Sequence, residues 1–140
     1  MLSKKLNLSS ESGSITAMLV VLFVVLIACL AIVVDSGRQL GAEVNAQDLV
    51  NQAARDGAAQ LVVGYLRQGQ LVLNQTKAVQ AGENFLAASG HPGTVWVVGN
   101  TVYAKLNYNI PTLFSSIFGI RYLRISAIGS AVDVSGIGPN

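Results

Sequence analysis

The chain has 140 residues, of which 51% are hydrophobic and 11% charged, and its formal net charge is +2. Its mean hydropathy is +0.52, and one segment, 15–34, produces the excess, with Thr16 as its only polar residue. This distribution excludes a cytosolic globular enzyme, a polytopic transporter and a disordered tail, and the small, scattered charge argues against nucleic-acid binding.

The segment 15–34 is predicted to cross a membrane as a helix. Twenty helical residues rise ~30 Å, the thickness of the hydrocarbon core of a bilayer. Its Leu, Ile, Val and Phe residues favour insertion by about −4 to −8 kcal/mol in sum. A cleaved secretory signal is the alternative, but the apolar run is longer than a signal core and no small-x-small pattern precedes Asp35.

Charge sets the expected orientation of this span. Lys4 and Lys5 precede it, so the N-terminus is expected in the cytoplasm and the C-terminal part outside the membrane. Cys29, the only cysteine, lies within the span and excludes an intrachain disulfide. The predicted domains are a cytoplasmic leader, a transmembrane helix, an extramembrane helical stalk and a small α/β ectodomain, over residues 1–14, 15–34, 35–68 and 69–140.

The helical pattern continues beyond the span. No proline occurs between Asp35 and Gln68, so one long helix is predicted to run out of the membrane and to end at Gly69, with Gly37, Gly41 and Gly64 as points where it can bend. Apolar residues follow a period of 3.6 and form one stripe. They are Val50, Ala53, Ala54, Gly57, Ala58, Leu61, Val62 and Tyr65.

A second helix and a hairpin are predicted next. The helix covers 75–89, with Asn74 as its N-cap. The hydrophobic period then changes to two, which predicts strands over 94–98 and 101–109 joined by the turn Gly99-Asn100. Alternation places Val102, Ala104, Leu106 and Tyr108 on one face of the second strand.

A short helical turn over 111–118, closed by Gly119, is predicted to lead to a third strand over 122–134, in which Gly129 marks a bulge. Three strands need a cover for their apolar face, and the stripe of the first helix supplies it. The predicted fold class is α+β. A long membrane-spanning helix continues into a stalk, and a short helix and a small antiparallel sheet pack on it in a pilin-like manner.

The N-terminal region resembles the TadE/TadG-like family of the tight-adherence (Flp-type) pilus assembly system, which is related to type IV pilins and pseudopilins. The tail TVYAKLNYNIPTLFSSIFGIRYLRISAIGSAVDV is also similar to TadE-type C-terminal strands. The N-terminal elements that carry the resemblance are Gly13 before the apolar run, Asp35-Ser36-Gly37-Arg38 after it, Asn45-Ala46-Gln47-Asp48, and the alanine-rich tract 53–59.

The resemblance implies a cleavage site for a leader. Pilin-like precursors are cut after a glycine that ends a basic leader, which here is the bond between Gly13 and Ser14. Such proteins usually carry a glutamate a few residues into the apolar run, where this chain has Met18. The other interpretation is that Ser12 and Ser14 only cap the helix.

Two further groups of residues are candidates for contacts with other subunits. Gly37 and Gly41 form a GxxxG step that lets two helices approach closely, although simple flexibility explains the same spacing. The small residues Ala53, Ala54, Gly57 and Ala58 extend that surface. Leu113, Phe114, Ile117 and Phe118 are expected to plug the end of the sheet as core, with an exposed partner patch as the alternative.

No catalytic, cofactor or metal site is predicted. His91 is the only histidine, and no nucleophile, carboxylate cluster or cysteine accompanies it. The preferred function is therefore that of a non-enzymatic pilin-like or pseudopilin-like component in a bacterial cell membrane. Its expected partners are the lipid bilayer and other pilus-assembly proteins, self-association included, with no nucleic acid or small-molecule substrate. The alternative is a membrane-anchored ligand-binding or sensory ectodomain.

Overall fold

The computed structural model describes residues 9–68 and 75–132, with side chains over 13–60 and 75–132. It confirms the predicted α+β class, because a long helix and a short helix precede a three-stranded antiparallel sheet. A 3₁₀ turn, Ser115–Phe118, joins the last two strands. The elements are α1 Ser9–Gln68, α2 Gln75–Ala88, β1 Thr94–Val98, β2 Thr101–Pro111 and β3 Tyr122–Val132.

Helix α1 is one uninterrupted helix of 60 residues that continues through Gly37 and Gly41. It is also the one helix among the described residues that is long and apolar enough to span a membrane. Within 15–34 the large apolar side chains are exposed to the surroundings, whereas Ala31 is buried. The predicted N-cap Asn74 and helix end Gly69 lie outside the described residues.

The sheet has the order β1-β2-β3 with an unbroken antiparallel register. Strand β2 extends two residues beyond its predicted end, and β3 pairs with it from Thr101↔Val132 to Pro111↔Tyr122. The bulge predicted at Gly129 is wrong, because Gly129 pairs with Ala104 within this continuous register. The glycine is needed for another reason: a Cβ there would lie 2.7 Å from the carbonyl carbon of Val50, a backbone atom of α1.

The core lies between the inner face of the sheet and the second half of α1. The predicted alternation is confirmed, since Val102, Ala104 and Leu106 of β2 are fully buried and Tyr108 packs at the edge of the same cluster. The part of the predicted stripe that the structure describes, Val50 to Ala58, covers this face, and α2 closes its side. The side chains of Leu61, Val62 and Tyr65 lie outside the described part of the chain. Helix residues in this core include Ala46, Val50, Ala53, Ala54, Ala58, Ala78 and Leu86.

The sheet lies lengthwise along α1, and its central strand β2 runs in the opposite direction to the helix. Near the end of the span the Arg38 guanidinium donates to the carbonyl of Pro111 at 3.2 Å, and further along the Tyr108 hydroxyl donates to the carbonyl of Ala42 at 3.2 Å. Still further along α1, Gly57 lies against Val102 of β2. From 38 to 57 the helix rises about 28 Å, and from 111 to 102 the strand spans about 30 Å, so the two elements match in length. The 112–121 loop therefore lies at the end of the sheet where α1 leaves the apolar span.

Candidate functional site

A buried carboxylate marks the point where the apolar part of α1 ends. The side chain of Asp35 is 3% exposed and accepts hydrogen bonds from three successive backbone N–H groups of the 112–121 loop. The N-cap residue of the 3₁₀ turn makes no side-chain capping bond. A residue of α1 instead accepts from the first N–H group of the turn and from the two N–H groups before it. The donors are Leu113 at 3.0 Å, Phe114 at 3.1 Å and Ser115 at 2.7 Å.

These contacts keep the carboxylate charged. The hydroxyl of Ser115 and the backbone N–H of Leu113, with those of Ser115 and Phe114, hold the pKa of Asp35 well below its usual value of 3.8, although desolvation opposes them. The guanidinium of Arg38, three residues further along α1, donates to the carbonyl of Pro111. Asp35 therefore fastens the loop to the helix as an N-cap supplied from a distant part of the chain.

The 112–121 loop is closed by its own hydrogen bonds. The N–H of Thr112 donates to the carbonyl of Arg121 at 3.1 Å, and its hydroxyl donates to the carbonyl of Ile120 at 2.6 Å. Gly119 closes the 3₁₀ turn, as predicted, with a φ of +88° that favours glycine. Thr112 and Ser115 are the buried side chains of this loop, so polar groups close this end of the sheet.

The apolar side chains of the loop point outward, and the expectation that they plug the sheet as core is wrong. Asp35 and the internal hydrogen bonds of the loop hold its backbone. In this arrangement the apolar side chains lie outside the core. We call the exposed set the loop patch; its members are 43% to 79% exposed. It consists of Leu113, Phe114, Ile117, Phe118 and Ile120.

The GxxxG step lies on the free side of α1. Gly37 and Gly41 are exposed, and a Cβ added at either would meet no atom within 4 Å. Leu40 and Val44 lie on the same helical face and are 63% and 56% exposed. We call Gly37, Leu40, Gly41 and Val44 the lateral stripe.

The other small residues predicted to extend this surface have an internal position. Ala53, Ala54, Gly57 and Ala58 are buried between α1, α2 and the sheet, so they are not available to a second molecule. A Cβ on Gly57 would lie 2.9 Å from the carbonyl oxygen of Ala78 in α2, which shows why this tract is small. At the N-terminal end of the span, Gly13 and Ser14 are exposed and helical.

The described residues contain no group of His, Cys, Asp and Glu side chains that could hold a metal ion. His91 stacks on Tyr108 with ring centroids 4.2 Å apart, which gives the histidine a packing role at the edge of the core. The site residue that sequence reasoning missed is Asp35. The signal that was available is a lone carboxylate directly after an apolar run, with a Ser-containing loop elsewhere in the chain to receive it.

Residues 13–60 match the model of the Tad family, described as "Putative Flp pilus-assembly TadE/G-like". Comparisons with curated proteins and with solved structures give no match. The matched segment holds the apolar span, Asp35, the lateral stripe and the alanine-rich tract, whereas the C-terminal strands lie outside it. Over residues 13–60 the chain is thus similar to the TadE/G-like proteins of Flp pilus assembly, which confirms the resemblance inferred from its N-terminal sequence.

Proposed function

We propose that this protein is a pilin-like or pseudopilin-like component of a tight-adherence pilus or a related secretion apparatus, and that it acts through packing between subunits. The family match supports a membrane-anchored, structural role in pilus assembly. The observation that carries the finer proposal is that the apolar face of α1 continues past the span as the lateral stripe, which none of the described residues covers.

The geometry of α1 separates this stripe from the sheet. At 100° per residue the four stripe positions fall within a sector about 100° wide. Asp35, Ala42 and Ala46, which face the sheet, lie on the opposite side. The stripe extends the apolar face of the span by about 15 Å beyond residue 34, because each residue adds ~1.5 Å. Two copies of α1 can therefore pack side by side while their sheets face away from each other.

The glycines in the stripe define how close such packing can be. Small residues four positions apart let two helix backbones approach and gain van der Waals contact, which is the main attraction between helices at a membrane. Leu40 and Val44 would pack against the partner on either side of Gly41. The proposed partner is a second pilin-like subunit, either another copy of this chain or a related pilus-assembly protein.

We also propose the arrangement of the whole chain in the membrane. The leader 1–14 lies in the cytoplasm, 15–34 crosses the membrane, and the chain from residue 35 lies outside. Because the sheet lies along α1 as far as Gly57, the helix after Asp35 acts as the spine of the ectodomain for most of the proposed stalk. Cleavage between Gly13 and Ser14 remains a proposal, and the mass of the mature amino terminus separates a processed subunit from a permanent assembly factor.

The test is a double substitution in the full-length protein, Gly37→Leu with Gly41→Leu. Neither new side chain meets an atom within 4 Å at its Cβ, so the monomer is expected to keep its fold and to gain up to about 1 kcal/mol of helix stability per site. Oxidative crosslinking through Leu40→Cys, in a Cys29→Ala background, measures association in membranes. We expect the crosslinked dimer to fall severalfold in the double variant.

Ser36→Leu is the matched control, because Ser36 is exposed on α1 beside the stripe and the substitution adds similar bulk. It should leave crosslinking unchanged. Crosslinking that is equally strong in the double variant and in the control would show that the stripe is not a close-packing surface.

A further inference from the structure

We propose that the 112–121 loop is a second membrane contact, which inserts the loop patch into the headgroup and acyl-chain boundary of the bilayer beside α1. The ectodomain would then be held on the lipid surface at two points instead of swinging on one helix. This inference rests on the proposed membrane anchorage by α1. Four features of the loop support it: its position, its exposed apolar side chains, its hydrogen bonding, and the basic and aromatic residues beside it.

The position of the loop is fixed at the end of the span. Asp35 directly follows the apolar segment and holds the N–H groups of Leu113, Phe114 and Ser115. Ala31 lies one helical turn earlier, on the same face, and is 7% exposed, although other apolar side chains of the span are bare. The 3₁₀ turn of this loop contacts α1, and the N–H of Ser115 at its start donates to Asp35 at 2.7 Å. One turn is about 5.4 Å, so the loop reaches beside the apolar span to the depth at which interfacial segments lie.

The side chains of the loop patch are apolar, and exposing them to water is unfavourable. Its five side chains lie within one short loop, and each is 43% exposed or more. Contiguous exposed apolar surface on a protein generally marks a surface that is covered in use. The proposed cover, the lipid around the span, lies next to the patch. The exposed apolar surface of the span ends just before Asp35, the residue that binds the loop.

The backbone of the loop is suited to a medium without water. Polar backbone groups must be satisfied internally before a segment can enter lipid. The carboxylate of Asp35 accepts three of the loop's N–H groups, as described above. Further along, the N–H of Ile117 donates to the carbonyl of Phe114 at 3.1 Å, and that of Ile120 donates to the carbonyl of Ser115 at 3.2 Å. The 3₁₀ turn thus presents side chains rather than bare amides.

Basic and aromatic residues border the loop patch. Arg121 and Tyr122 directly follow the last residue of the patch, and Arg124 lies two residues further along β3. Arg38 bonds to Pro111, the residue just before the loop, and all four side chains are exposed. Guanidinium groups bind lipid phosphates, and their stems let the charge stay at headgroup level while apolar neighbours lie deeper. Tyrosine favours the same interface. This combination indicates a surface of anionic phospholipid rather than a purely apolar protein groove.

The experiment uses the full chain, reconstituted into vesicles of phosphatidylethanolamine and phosphatidylglycerol. An environment-sensitive fluorophore is attached at Ile117→Cys in a Cys29→Ala background, and its quenching by lipids brominated on the acyl chain is measured. Ile117 is 79% exposed, so the substitution should leave the melting temperature of the ectodomain unchanged. We expect severalfold stronger quenching at this position than at Val98→Cys.

Val98 is the matched control, because it is also an exposed apolar residue but lies at the other end of the sheet, about 30 Å away along β2. Leu26→Cys, at the middle of the span, reports on anchorage itself. Quenching at Leu26→Cys with none at Ile117→Cys would overturn the loop inference and leave the anchor standing. Absence of quenching at both would contradict the anchor. A blue-shifted but unquenched probe at Ile117→Cys would show that protein, not lipid, covers the patch.

Discussion

Gly129→Val is expected to separate the sheet from α1 and to lower the free energy of unfolding of the ectodomain by about 3 kcal/mol. A Cβ at this position would lie 2.7 Å from the carbonyl carbon of Val50 and 2.8 Å from the backbone nitrogen of Asn51. Both are main-chain atoms of a helix, so they cannot move aside as a flexible side chain can. The helix must shift, and the packing of Val50 against the sheet is lost with it.

Urea denaturation of the full-length protein in detergent micelles, followed by the circular dichroism of the sheet, measures this effect. Gly41→Val is the matched control, because a Cβ at Gly41 meets nothing within 4 Å. Valine is slightly better than glycine within a helix, so the control should be unchanged or a few tenths of a kcal/mol more stable. Equal destabilisation of the two variants would show that α1 does not lie against β3 as described.

Asp35→Asn is expected to release the 112–121 loop from α1 without unfolding the core. An amide group offers one acceptor oxygen in place of two, and it carries no charge to strengthen the bonds from Leu113, Phe114 and Ser115. Hydrogen exchange of peptides covering the loop should become faster by roughly tenfold or more, since bonds to charged acceptors are the strongest of their kind. Peptides from β2 should keep their protection.

Asp48→Asn is the matched control, because Asp48 is an exposed carboxylate on the same helix, and the loop should exchange in it as in the wild type. Lowering the pH should release the loop as Asp35→Asn does. Since the pKa of Asp35 is lowered in the folded state, its contribution is fully present above the ordinary value of 3.8 and is lost as the pH falls below it. Exchange rates corrected for pH should show this loss in the wild type and not in Asp35→Asn. A loop equally protected in all three proteins would contradict the role of Asp35.

Most of the fold could be predicted because local sequence patterns define its helices and strands. The alternation through Val102, Ala104 and Leu106 defines a half-buried strand by itself. Gly99 and Gly119, which adopt φ of +60° and +88°, mark the ends of elements because few other residues tolerate such angles. The cover of the sheet by α1 also followed, since one apolar stripe had to meet one apolar face.

Contacts between distant residues could not be predicted in the same way. Asp35 binds N–H groups that are 78 to 80 positions later in the chain, and no local pattern encodes such a pairing. The small residues around Ala53 and Gly57 could pack equally well against another molecule or against α2. The fold shows that they pack against α2 and the sheet. Gly129 suggested a bulge for a similar reason, because a glycine in a strand fits either a bulge or a close approach.

The same ambiguity explains the error at the loop patch. A cluster such as Leu113, Phe114 and Ile117 favours burial in a protein that is surrounded by water. Where a chain adjoins a membrane, however, apolar residues have a second apolar medium available. Which environment the loop meets depends on its position beside the end of the apolar span, and position is a property of the fold rather than of the loop sequence.

The central proposal is that one helix serves first as membrane anchor and then as the spine of an extracytoplasmic domain. Thiol labelling in intact cells tests it most directly, with a membrane-impermeant maleimide and two single-cysteine variants in a Cys29→Ala background. We expect Val98→Cys to react before the cells are permeabilised and Leu26→Cys to stay unreactive. Labelling of Val98→Cys only after permeabilisation, or rapid labelling of Leu26→Cys in intact cells, would contradict it.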